Sequence, residues 1–248
     1  GLFRPAIPVQ LYEFGQRGIW FDYERFCRPY ITDEVIWEFF GPNKDKFISF
    51  LEPSVEGQYR FKPALDTQQK VEEHFEGLDP TEDNRRIREG LLALLANVIL
   101  FERKGSGGRL FDFRIAIENA CSFRRLDGNI QQRLKELYID YFYRRQDHFW
   151  EKEAMKKLPA LKNATHMLAF GEDLGMVPHC VPEVMKRLGI LGLEVQRMPK
   201  DMGKTFSDPA DAPYLSVVTP STHDMSVIRD WWEEDRERTQ QFFNEALK

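Results

Sequence analysis

Cysteine is scarce. Cys27, Cys121 and Cys180 are widely separated, odd in number and form no C-x-x-C pair, which argues against a disulfide framework and suits a reducing compartment. A cytoplasmic location is expected. Excess basic charge is also lacking: 35 Lys and Arg stand against 40 Asp and Glu, a net charge of -5. The cationic field needed to grip phosphate backbones is missing, so nucleic acid is not an expected partner. No apolar run approaches the roughly 18 residues of a spanning helix, and the first residues lack a basic-then-apolar signal pattern, so no membrane role is expected. Internal repeats and low-complexity tracts are absent. The glycine-rich "KGSGGR" lacks the G-x-x-x-x-G-K-[ST] spacing of a phosphate cradle and reads as a flexible connection between helices. His166, His179 and His223 with Asp224 raise the possibility of a divalent metal site. No His pair falls at i, i+3 or i, i+4, however, so a metal site built on them is not expected.

What is present is material for a core: 42% hydrophobic and 13% aromatic residues, enough for one large domain or two modest ones. The chain starts at Gly1 and stops inside a helix-like stretch, as a piece of a longer protein would. Residues 1 to 160 read as mostly helical or irregular. "TDEVIWEFFG" predicts a short helix capped by Thr32 or Asp33 and stopped by Gly41 and Pro42. "DNRRIREGLLALLANVILFERKG" predicts a core helix, with Ile87, Leu91, Leu94, Leu95, Val98 and Phe101 at helical spacing and a stop at Lys104 and Gly105. After the short apolar segment "LFDFRIAI", Ile130, Leu134, Leu137, Tyr141 and Phe142 share one face of a single long helix that Pro159 interrupts.

From 161 to 248 the texture changes. "HMLAF", "GLEVQRM" and "YLSVVTP" are strand-like, while "PEVMKRLGI" and "DMSVIRDWWEEDRERTQQFFNEAL" are helical, the first opening on Pro182. Alternating strand and helix predicts β-α-β units, an α/β fold with a parallel sheet, and a ligand site beyond the carboxyl ends of the strands. Two acidic clusters fall there. "FGEDLG" places Glu172 and Asp173 after one strand, and "PSTHD" places His223 and Asp224 after another. Facing carboxyl groups suit the cleavage of an acetal, where one acid protonates the leaving oxygen and others stabilise positive charge on the sugar ring. Glu172, flanked by apolar residues that would raise its pKa, is the candidate acid. His223 and Asp224 can hydrogen-bond hydroxyls and stabilise developing charge, with Asp173 as a further sugar contact. Residues alone leave a plainer alternative open, because Asp after a strand is often an N-cap and Glu-Asp before Gly a solvated turn. Trp231 and Trp232 can stack on sugar rings or pack a helix.

At these residues the chain resembles a known family. "GEDLGMVP" is similar to the acid/base segment, and "VVTPSTHD" to the transition-state-stabiliser segment, of the 4-α-glucanotransferases, the amylomaltases or disproportionating enzymes. "CVPEVMKRLGILGLEVQRMPKD", "STHDMSVIRDWWEED" and the upstream "FRPAIPV" and "GIWFDYERFCRPYIT" resemble the subgroup of plant cytosolic disproportionating enzymes and their bacterial relatives. The likeness extends over nearly the whole chain. It implies part of a (β/α)8 TIM barrel, with residues 1 to 160 forming a post-nucleophile loop and a mostly helical insertion and 161 to 248 a barrel segment. It also implies double displacement, with Glu172 as general acid/base, Asp224 as stabilising acid and His223 on the sugar. Maltose or malto-oligosaccharides would be donors and a glycogen-like glucan the acceptor, and the resemblance implies no metal or organic cofactor. The nucleophilic aspartate, in an Arg-x-Asp-His context, would precede Gly1, so the 248 residues alone should lack transferase activity. "RRQDHF" matches those letters through Arg145, Asp147 and His148, but it lies inside a helical pattern with no apolar strand leading in, and is rejected as the nucleophile. Two alternatives are an α-glucan hydrolase of the same barrel type and a noncatalytic glucan-binding fragment.

Overall fold

The structure is a computed structural model that describes residues 5–54, 57–175, 177–201 and 203–247. Phe3 and Arg4 of the proline-spaced run and Met176 of the acidic run lie outside them. The chain divides into two compact units, Gly1–Phe142 and Tyr143–Lys248, with helix Arg145–Asn163 in the same unit as the parallel strands.

The first unit contains short strands that the reading of residues 1 to 160 as mostly helical or irregular did not foresee. They are β1 (Val9–Gln10), β2 (Ile31–Thr32), β3 (Leu51–Pro53), β4 (Gln58–Phe61), β5 (Leu100–Glu102) and β6 (Leu110–Phe113). They form two antiparallel sheets, ordered β1-β6-β5 and β2-β4-β3. Segments of two to four residues are too short to display a two-residue period. Register aligns Val9 with Phe111 and Leu100 with Phe113, all four buried among Phe14, Phe26 and other apolar side chains.

Helix Asp33–Phe40 forms as its caps predict: the Thr32 hydroxyl accepts from the Val35 N–H, and Gly41 ends it at φ 54°. The next long helix is shorter than its periodicity suggested. It covers Glu82–Leu95 and buries Leu91 and Leu94, whereas Phe101 lies in β5 and is half exposed. "KGSGGR" is the turn of the β5-β6 hairpin and not a helix connection. Gly105, Gly107 and Gly108 take positive φ there, and the Arg103 N–H donates to the Leu110 carbonyl at 2.8 Å. The stretch expected as one long helix is an α-helix at Gly128–Ile139, a π-helical segment at Asp140–Arg144 and an α-helix at Arg145–Asn163. Leu134, Leu137 and Tyr141 are buried. Pro159 lies inside the last helix, next to Leu158, which with Trp150 packs against Val181, Met185 and Ile190.

The second unit carries a parallel arrangement. Phe170 bridges Leu191, and β7 (Gly192–Val195) pairs along its length with β8 (Ser216–Thr219), both in parallel. Between Phe170 and β7 runs helix Val181–Leu188, with Pro182 in its first turn and Gly189 at φ 60° behind it. Its Val181 and Met185 pack with Ile190, Trp150 and Leu158. The C-terminal stretch is not one helix: Asp235 is extended, and its carboxylate accepts from the Glu237 and Arg238 N–H groups, opening helix Arg236–Phe242 after helix Ile228–Glu234. Trp231 is buried with Phe206 and Phe242, so it is a core residue, while Trp232 is partly exposed. Among the described residues no barrel closes and no helix is long and apolar enough to cross a membrane.

Candidate functional site

Parallel strands end at the same edge of their sheet. Glu172 follows Phe170 by two residues, and Asp224 lies in the loop that leaves β8 after Thr219. The two acids therefore belong to the first and third members of the parallel set, with the end of β7 between them. Glu172 is exposed. The apolar enclosure anticipated around it is not built by the described residues, because its neighbour Phe170 is itself 60% exposed. His223 Nε2 lies 3.3 Å from Asp224 Oδ1, and both side chains are largely open to solvent.

Asp173 differs from its neighbour. Its Oδ1 accepts the Leu193 N–H at 2.9 Å, so a side chain takes the place of a strand carbonyl beside β7. Its Oδ2 pairs with Lys200 Nζ at 2.7 Å, and Lys200 also reaches Glu194 Oε1 at 2.7 Å. Burial is the largest single influence on Lys200 and pulls its pKa down, but the bonds and charges of Asp173 and Glu194 together outweigh it and hold the ammonium above its ordinary value. Asp173, expected as a sugar contact, is thus engaged by the protein and ties the segment bearing Glu172 to β7. It also borders a hollow of about 910 Å³ walled by Leu174, Met185, Ile190, Met198 and Tyr214. Glu172, His223 and Asp224 are not among the residues lining that hollow.

Asp147 sits in helix Arg145–Asn163, and its carboxylate accepts the Cys180 N–H at 2.8 Å near the start of helix Val181–Leu188. The Cys180 thiol beside it is pushed up to about 11 by burial and by the Asp147 oxygens. That is a packing role between two helices. Among the described residues no group of three or more His, Cys, Asp or Glu is arranged to hold a metal ion.

The sequence reading missed Arg197. It is 3% exposed and donates to the Pro220 carbonyl through Nε at 3.0 Å and to the Ser226 carbonyl through Nη2 at 2.6 Å. A signal was available: Leu193, Val195 and Arg197 alternate, and all three are buried.

The model of the 4-alpha-glucanotransferase family matches residues 34–248. The chain belongs to that family. It is 36% identical over 252 aligned positions to the 4-alpha-glucanotransferase DPE2 of Oryza sativa subsp. japonica, an alignment covering 100% of this chain and 26% of the rice protein. The 4-alpha-glucanotransferase of Chlamydia pneumoniae is 33% identical over 93 residues, covering 37% of this chain and 18% of the relative. That of Chlamydia muridarum is 37% identical over 79 residues, covering 31% and 15%. The chain thus spans about a quarter of the rice relative's length. No solved structure matches it.

Proposed function

We propose that these residues are part of a retaining 4-alpha-glucanotransferase, with Glu172 as general acid/base and Asp224 as the acid that stabilises positive charge on the reacting sugar. An aspartate elsewhere in the protein attacks the anomeric carbon while Glu172 gives its proton to the departing oxygen. Glu172 then takes a proton from an acceptor hydroxyl, whose oxygen displaces the aspartate and restores it. The donor is maltose or a malto-oligosaccharide, and the acceptor is a glycogen-like glucan. His223 and Asp173 contact the sugar, Asp173 while remaining bound to β7.

The observation that carries this reading is that the segments bearing Glu172 and Asp224 leave the same edge of one parallel set, in a chain of this family. Apolar side chains exposed beside the outer strands, Met167, Leu168 and Val218 among them, support a sheet continued by further strands into a (β/α)8 barrel. In the intact protein, Glu172→Gln and Asp224→Asn should each lower glucosyl transfer from maltose to glycogen by at least about 100-fold. Wild-type rates in either variant would refute the assignment. The competing outcome is hydrolysis, in which water takes the place of the acceptor hydroxyl. Release of reducing ends without transfer to added glycogen would identify it.

A further inference from the structure

The loop bearing Asp224 is pinned at both ends by one side chain. Arg197 lies just beyond the carboxyl end of β7, and its two hydrogen bonds end on Pro220 and Ser226, the residues that bracket 221–225. Its Cζ lies 4.8 Å from the centre of the Trp231 ring, which closes a third side of the guanidinium. From the end of β8 the Thr219 hydroxyl donates to the Ser221 carbonyl at 2.8 Å, and within the bracket the Asp224 and Met225 N–H groups donate to Thr222 at 3.3 and 3.2 Å. The loop is therefore internally bonded as well as held at its ends, while His223 and Asp224 point into solvent.

Among the described residues Arg197 has no carboxylate partner at ion-pair distance; carbonyls and an aromatic face hold it. Burial draws its pKa down, with the charge of Glu234 acting the other way. A planar fork with several N–H donors can span two carbonyls at once, which a lysine ammonium on a flexible stem does poorly.

We propose that Arg197 is a positioning residue for glucosyl transfer: by holding Pro220 and Ser226 together it fixes where Asp224 stands at the sheet edge. This rests on the assignment of Asp224 above. A displacement of about 1 Å in a reacting constellation can lower turnover about 100-fold. In the intact protein Arg197→Lys should therefore reduce kcat for transfer from maltose to glycogen by about 100-fold, leave KM for maltose within about threefold and leave the folded state intact by circular dichroism. Arg197→Ala should regain part of its kcat when guanidinium is added at low millimolar concentration, since the carbonyls and Trp231 still form its seat. If Arg197→Lys keeps wild-type kcat, the proposal is overturned, and it is overturned equally if the loss lies in KM alone. Should Arg197→Ala fail to fold, the kcat of Arg197→Lys decides. Asp224→Asn assayed in parallel separates the two ideas. A fully active Asp224→Asn removes the functional assignment, whereas an inactive Asp224→Asn beside a fully active Arg197→Lys removes the Arg197 proposal alone.

Discussion

Replacing Asp112 by asparagine should destabilise the first unit by about 3 kcal/mol. Asp112 points away from the buried face that Phe111 and Phe113 share on β6, and it meets Arg103 just after β5. The guanidinium holds both carboxylate oxygens, through Nε at 2.9 and 3.0 Å and Nη2 at 2.7 Å, while the Tyr141 hydroxyl donates to Oδ1 at 2.9 Å. The two side chains of the pair are only 15% and 14% exposed. Taking one partner from a buried ion pair costs about 3–5 kcal/mol, chiefly because the remaining charge stays buried. The low end applies because Arg103 keeps the carbonyls of Pro5 and Ala6, at 2.7 and 3.2 Å, and asparagine preserves volume and one acceptor. Urea unfolding of the 248-residue chain, with hydrogen exchange of peptides from β5 and β6 to localise the effect, measures the loss. Tyr141→Phe should cost about 1–2 kcal/mol. Replacing Arg103 and Asp112 together by methionine and leucine should recover most of the Asp112→Asn loss, because no orphaned charge remains. An Asp112→Asn chain within about 0.5 kcal/mol of the parent, below any cost expected for a buried pair, would refute the reasoning.

Gly90→Ala should also destabilise, although alanine is the better helix former by about 1 kcal/mol. A Cβ at Gly90 would run into the Phe40 ring, with Cδ1 and Cζ each at 2.9 Å, and that ring is stacked on Phe47. The net loss in urea unfolding should be about 1–2 kcal/mol, and a stabilised variant would show that the ring gives way freely. Lys200 holds its proton more tightly in the folded protein, so its stabilising contribution is full below the ordinary lysine value of 10.5 and fades as pH rises through the higher folded value. Unfolding free energy between pH 9 and pH 12 should therefore fall less steeply in Lys200→Met than in the parent; identical slopes would count against the Asp173-Lys200-Glu194 cluster. The purified 248-residue chain should show no transfer from maltose to glycogen, and turnover by that chain would overturn the assignment of the nucleophile to another part of the protein.

Local chemistry made much of this legible and long-range pairing hid the rest. Thr32 and Gly41 announced the ends of their helix because caps act within four residues. Val98 to Phe101 kept the helical spacing of Leu91 and Leu94, yet their segment leaves the helix for a ladder with Leu110–Phe113, and a three-residue strand is too short to announce that pairing by its own period. Asp235 was passed over for a similar reason: apolar spacing continues across it, while its carboxylate starts a new helix. The strand-end acids stood out because each follows an apolar run. Arg197 continued the alternation of Leu193 and Val195, but the carbonyls and the Trp231 ring that hold it lie more than twenty residues away.

The strand order fixes a distance as well as a side. Neighbouring strands lie about 4.8 Å apart, so the strands that lead to Glu172 and Asp224 are separated by about 10 Å, with the tip of β7 between them. A molecule touching both acids must straddle that tip. The breadth of a single pyranose ring, added to two carboxyl side chains, is of that order, so widening or narrowing the gap by one strand would leave the pair mismatched to it.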